Sequence, residues 1–369
     1  MFVSLIVLAS CSSDDPSKDN PSPDEGFDRK VMLIHIADEI IIPAYENFKV
    51  KLDSMADKSK AFTDNPNQTT LTAFRNIWVD AYTEWQKVEL FDVGPASDYA
   101  VRNYFNIYPA NEQGIKNNIS SGSYNLEVST SFSEQGFPAL DYLINGVGSN
   151  DDEIIEQYTN ATDAANRKEY VNKVVNQMKS KFNLIYSQWT GGYRDKFISR
   201  TGVDVSSSTG TLVNGYVLNY ERFIRSGKFG IPSGAMIGGV VSPEKVEAFY
   251  KKDISLTLAK TAHQASIDFF NGKSVKTGEE GPSFKTYLNA LDAKDSKTGN
   301  SLSDIINAQF ASVNEALNLL PPNLYEEVKT NNQAMVNVYN EMQKAVRMLK
   351  VDMTSAMSIT ITYTDNDGD

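Results

Sequence analysis

The 369-residue chain has one cysteine, Cys11, and two histidines, His35 and His263. A disulfide framework is therefore excluded, as is a Cys- or His-rich metal centre: structural zinc takes four N, S or O ligands, and catalytic zinc usually takes three plus water. Neither His stands in an H-E-x-x-H or H-x-x-x-H spacing, and there is no G-x-S-x-G elbow, P-loop or dinucleotide fingerprint. No apolar run reaches the roughly 18 residues a membrane-spanning helix needs. Basic residues are also short, 35 against 47 acidic, for a net charge of −12. An acid-rich chain repels phosphate, so nucleic acid is not an expected partner.

The chain does have enough apolar material for a sizeable core, with 41% apolar and 22% charged residues. At roughly 150 residues per domain, its length points to about two domains. The short apolar run from Phe2 to Leu8 leads into Leu8-Ala9-Ser10-Cys11. Small residues ahead of a Cys let a signal peptidase approach the backbone. The tetrapeptide resembles a bacterial lipobox, in which residues 1–10 are a signal peptide and Cys11 carries lipid. The competing reading is a coincidental free Cys, and no Lys or Arg precedes the apolar run. Residues 11–26 are rich in Ser, Pro and acidic side chains, a tether with too little apolar surface to fold. Its Asp14-Asp15 pair resembles surface-export signals of Bacteroidetes lipoproteins. The expected location is the outer membrane, facing either the cell surface or the periplasm, with the membrane engaged through the lipid on Cys11.

The remainder reads as helix. Leu33, Ala37, Ile40, Ala44, Phe48, Leu52 and Met55 recur at helical spacing, with Pro43 expected to kink or divide the run. Phe74, Trp78, Ala81, Trp85 and Val88 form a second stripe, closed by Gly94-Pro95. Val171, Val175, Met178, Phe182, Ile185 and Trp189 form a third, and Met335, Val338, Met342, Ala345 and Leu349 another. Residues 359–363 are the best strand candidate. The expected fold class is all-α: two helical bundles, 27–200 and 211–369, joined through the polar stretch 201–210, with a cleft between them. Loops at 272–282 and 294–301 look like insertions in the second bundle. His35 reads as half-exposed and His263 as a helix-surface or interdomain residue. The Asp365-Asn366-Asp367-Gly368-Asp369 tail begins like a calcium loop and stops before the distal Glu such a loop needs.

A series of short motifs follows in order. Ile42-Pro43-Ala44-Tyr45 precedes Phe48. Trp78, Trp85, Glu89, Phe91, Gly94 and Pro95 form a W…W…E-x-F…G-P segment, and Tyr108-Pro109 stands after it. Then come residues 136–143, Gly-Phe-Pro-Ala-Leu-Asp-Tyr-Leu, followed by Gly230-Ile231-Pro232-Ser233-Gly234 and Val246-Glu247-Ala248-Phe249-Tyr250. Over about residues 30–369 this order resembles the imelysin family. The resemblance implies two four-helix-type bundles with a functional cleft near a G-x-H-x-x-E-Y-L element. It also implies an envelope protein linked to iron uptake, in a family that carries a peptidase label and includes alginate binders.

At that element the chain departs from the pattern. Pro138 stands at the His position and Asp141 at the Glu position. Proline has no side-chain ligand atom and no backbone N–H. No catalytic residue is therefore assigned. The expected ligand-binding cleft comprises Trp85, Glu89, Gly136, Pro138, Asp141, Tyr142, Glu247 and Tyr250. Glu89, Asp141 and Glu247 are candidate oxygen ligands for iron or another divalent cation. The plainer readings are a helix-surface or cap carboxylate for Asp141 and a partner for an Arg or a backbone amide for Glu89. The aromatics Tyr82, Trp85, Tyr99, Tyr104, Phe105 and Tyr108 either line a groove or fill the core. Three functions compete: a non-catalytic lipoprotein capturing an iron-related, glycan or peptide ligand, a metal-dependent peptidase, and a structural or adhesion protein.

Overall fold

The computed structural model describes residues 27–364. The signal-peptide and tether segments, Cys11 and the acidic tail lie outside them. Among the described residues the fold is helical throughout. It contains no strand, only two isolated antiparallel bridges, Lys273 with Glu280 and Lys294 with Ser301. Those bridges close the two loops expected as insertions.

The chain enters at α1 (Arg29–His35), where the Asp28 carboxylate accepts from the Lys30 and Val31 amides. It continues without a break through a π-helical turn, Ile36–Ile41, into α2 (Ile42–Asp64). Pro43 was expected to kink or divide this run. Instead, the missing amide falls in the first turn of α2, just after the helix has widened to the π pattern. α3 (Gln68–Val88) starts at a reciprocal capping box between Asn67 and Thr70. The first half also holds the short α4 (Gly136–Asp141) and the long α5 (Ala164–Gln188). α2 packs along both α3 and α5.

The second half begins at α6 (Ser208–Leu218), which runs into a π-helical segment, Asn219–Gly230. α7 (Ser255–Asn271), α8 (Leu302–Asn318) and α9 (Asn332–Arg347) complete it. α9 packs on α8 and on the π-helical segment, while α7 packs on α3 of the first half. A single connected core therefore runs through both halves.

Aromatic residues supply much of that core. Trp85 stacks on Phe105 with centroids 4.5 Å apart, Tyr82 stacks on Phe137 at 4.5 Å, and Phe182 meets Phe48 edge-on at 4.7 Å. Burying each such ring contributes about 1.5–3 kcal/mol. Tyr82, Trp85, Tyr104 and Phe105 are thus core residues, whereas Tyr99 is exposed. Two expectations are corrected. His263 is fully buried, with Nδ1 3.0 Å from the Tyr220 hydroxyl and Nε2 3.1 Å from the Phe310 carbonyl oxygen. It faces inward because α7 turns Ala259, Ala262, Ser266 and Phe270 to the same interior. Residues 359–363 form no strand: the Asn214 side chain donates to Thr360 O and accepts from Thr362 N, filling the role of a partner strand.

Candidate functional site

Tyr82, Gln86 and Glu89 project from one face of α3 and its C-cap, at four- and three-residue spacing. Arg102 and Asn106 come from the following connection, Lys228 from the π-helical segment, and Glu247 from the turn after the short Pro243–Lys245 helix. Lys228 Nζ sits on Glu247 Oε2 and donates to Gln86 Oε1 at 2.7 Å. Glu247 Oε1 accepts from Tyr82 Oη at 3.1 Å, Gln86 Nε2 at 3.1 Å and Asn106 Nδ2 at 2.8 Å. Asn106 Nδ2 also reaches Glu89 Oε1 at 3.2 Å, and Arg102 Nη2 lies 2.8 Å from the same oxygen. Two carboxylates and two cations are thus sealed together and balance in charge.

Burial has clear electrostatic consequences. Desolvation, reinforced by the Glu247 charge, drives the Tyr82 and Tyr108 hydroxyls well above the ordinary tyrosine range. Desolvation pulls the Arg102 guanidinium down, against the Glu89 carboxylate that holds it up. Arg102 Nε and Nη1, Trp85 Nε1 and Asp92 Oδ1 have no hydrogen-bond partner among the described residues, and all three residues line one small internal cavity.

Asp141 has different partners. Its Oδ2 accepts from Tyr250 N at 2.9 Å, and its Oδ1 accepts from Lys251 N at 3.0 Å and Asn145 Nδ2 at 2.9 Å. It therefore caps second-half backbone from a first-half helix. Burial raises its carboxyl to about 7 despite those three donors. Tyr250 Oη donates to Glu112 Oε1 at 2.5 Å, and its ring lies 5.3 Å from that of Tyr142. Gly136 has φ +77°, and a Cβ there would come within 2.4 Å of Phe105 O. Pro138 is buried inside α4.

The expected cleft residues are therefore divided: Glu89 and Glu247 share Asn106 in the network joining the halves, Asp141 holds second-half backbone separately, and Trp85 and Gly136 pack on Phe105 in the first half. Trp85, Glu89, Asp141, Tyr142 and Glu247 are all buried, and only Tyr250 is partly open. The open space lies elsewhere. A groove of about 710 Å³ runs between α2, α3, α7 and the 272–282 loop. Ile40, Ala44, Phe91, Ala265, Phe269 and Val275 give it apolar walls, and Glu84, Lys87, Lys260, Asp268 and Lys273 supply charge.

Sequence reasoning missed Gln86, Arg102, Asn106 and Lys228. It also missed a second buried cluster, in which Glu221 lies 3.0 Å from Lys350 Nζ and 2.8 Å from Tyr363 Oη. The available signal was the dense charge of Glu221, Arg225 and Lys228 at four- and three-residue steps, leading into Gly230-Ile231-Pro232. A surface helix would present such charges to water; here they turn inward.

Two all-helical halves clasped around a neutral, buried charge network define the class: a two-bundle helical protein with an interior polar seam. The imelysin (peptidase M75) family profile matches residues 41–352, and the chain belongs to that family. An imelysin-like protein from Psychrobacter arcticum 273-4 superposes with a TM-score of 0.67 at 17% identity, covering 91% of this chain and 97% of that one. An iron-regulated protein A precursor from Parabacteroides distasonis ATCC 8503 gives 0.66 at 17%, covering 90% and 97%. At that identity the likeness speaks for the fold. No match is found among curated proteins.

The peptidase label implies a metal, and the residues present do not fit one. Among the described residues no three His, Cys, Asp or Glu side chains converge as a ligand group. Glu89, Asp141 and Glu247 are not brought together as one set. Lys228 and Arg102 occupy the carboxylates that a cation would need, and the backbone amides of residues 250–251 occupy Asp141.

Proposed function

We propose that this imelysin-family protein is a non-catalytic binding protein of the cell envelope, held by lipid on Cys11, and that it captures a small ligand in the groove between its halves. The observation that carries this reading is the separation of the two features. The carboxylates expected to hold a metal, Glu89, Asp141 and Glu247, are instead engaged by Arg102, Lys228 and backbone or side-chain donors of the protein itself, so they are not disposed as an open ligand set for metal-assisted hydrolysis. The groove, by contrast, is open, concave, walled with apolar side chains, and within the 300–1,000 Å³ range usual for ligand pockets. The name of the Parabacteroides relative, an iron-regulated protein precursor, supports an envelope role tied to iron supply. No helix of the described residues is long and apolar enough to cross a membrane.

The test has two arms. Incubation with a peptide mixture, with and without chelator, is expected to give no chelator-sensitive cleavage; such cleavage would restore the peptidase. The uncharged fluorophore phenylnaphthylamine is expected to bind wild type and to be excluded by Ala265→Trp, which fills the groove. Binding indifferent to that substitution would sink the groove reading. For the anchor, Cys11→Ala is expected to move the protein from the membrane to the soluble fraction.

A further inference from the structure

The charges lining the groove do not cancel. Glu84 is paired with Lys87 at 2.8 Å, and Asp268 with Lys273 at 3.6 Å. Asp268 also accepts from Gln264 Nε2 at 2.9 Å. Each carboxylate thus has its own lysine. Lys260 lines the same groove half-buried and has no ion pair or hydrogen bond among the described residues. The chain as a whole carries −12, so a groove with one uncompensated cation is a local reversal of sign. Beside the apolar wall of the groove, an anion paired with Lys260 is attracted more strongly than it would be by a lysine in open water.

We infer that the groove takes a small organic anion with an apolar body, its acidic group paired with Lys260 and its body set against the wall formed by Ala44, Ala265 and Phe269. This rests on the groove reading above and narrows its ligand class. Size favours a small molecule: the volume is that of a ligand pocket. A glycan without charge gains hydrogen bonds but no ion pair from Lys260, and a free metal cation is repelled by it.

Two fluorophores that share one apolar body form the test: anilinonaphthalene sulfonate, which is anionic, and its uncharged parent phenylnaphthylamine. Titration of full-length protein with each, in wild type, Lys260→Ala, Lys260→Arg and Ala265→Trp, reads the groove and the charge separately. Losing one partly desolvated charge-assisted contact is expected to weaken sulfonate binding about tenfold in Lys260→Ala. The parent's affinity should stay within about twofold, Lys260→Arg should restore the sulfonate, and added salt should narrow the gap. Sulfonate and parent weakened equally, or a sulfonate indifferent to Lys260→Ala while Ala265→Trp still blocks both, overturns this inference alone. Binding that survives Ala265→Trp overturns the groove reading and this inference with it.

Discussion

Lys228 Nζ sits on the carboxylate of Glu247 with both side chains shut off from solvent, at 2% and 3% exposure. Gln86 and Tyr82 of α3 bond to the same pair, so the contact fastens the second half to the first. Taking two charges out of water is expensive, and the mutual attraction repays it only when the remaining hydrogen bonds are made. Here Tyr82, Gln86 and Asn106 make them. The network therefore fixes how the halves meet and engages both the Glu247 carboxylate and the Lys228 ammonium with protein partners.

Removing one partner should then cost far more than removing both. Lys228→Met leaves Glu247 charged and buried, and is expected to destabilise by about 3–5 kcal/mol. Adding Glu247→Leu should recover part of that loss, since no bare charge stays buried, with the Gln86 amide left unpartnered setting the remainder. Urea melts of the singles and the double variant measure the coupling. Additive losses would show that the two side chains do not act as a pair.

His263 makes stability depend on acid. Burial lowers its pKa from the ordinary 6.5 to about 4, against a smaller opposing effect of the Phe310 carbonyl, to which Nε2 donates. Between those values the unfolded chain binds a proton that the folded one refuses. Its contribution is therefore complete above about pH 6.5 and is lost as pH falls toward 4, a change on the order of 3 kcal/mol. His263→Gln should flatten the acid side of a stability–pH curve. An unchanged slope in that window would place the titration elsewhere.

The periodic stripes made the helices and most of the core legible from sequence, because a 3.6-residue apolar repeat marks a buried face wherever that face packs. Glu89 shows where legibility ended. Its alternative as an arginine partner was visible in advance, but the partner, Arg102, comes from an irregular connection with no periodicity to read. The groove was illegible for the same reason: its walls combine α2, α3, α7 and a loop, and only the packing of α7 on α3 creates the space. His263 misled because one polar residue on a helix gives no sign of which way it faces until its neighbours are placed.

Gly136 was read as a ligand-site residue, and the structure gives it a backbone task. Its φ of +77° lies in the left-handed region, and a Cβ would collide with Phe105 O, a main-chain atom that cannot swing aside. Gly136→Ala is therefore expected to cost about 2 kcal/mol or more. Gly191→Ala is the control: nothing lies within 4 Å of its Cβ position. That change should stay within about 0.5 kcal/mol. Thermal melts of both compare them directly, and equal midpoints would remove the steric argument.

Asp141 should act on stability with the opposite sign to His263. Burial raises its carboxyl from the ordinary 3.8 to about 7, outweighing the donors Tyr250 N, Asn145 and Lys251 N that favour the anion. Between those values the folded protein keeps a proton that the unfolded chain has released. The favourable contribution is complete below about pH 4 and is lost as pH rises through 7, at roughly 1.4 kcal/mol for each pH unit crossed. The two trends overlap and partly cancel in wild type, so the Asp141 effect is best read in a His263→Gln background. There, stability should fall as pH rises from about 4 to about 7. Asp141→Asn cannot titrate, and its amide group meets one of the two backbone N–H donors without an acceptor, so it starts lower. The gap between Asp and Asn should therefore be widest near pH 4 and narrow toward pH 7. A gap that is constant with pH would mean Asp141 keeps one protonation state throughout, held as the anion by its three donors.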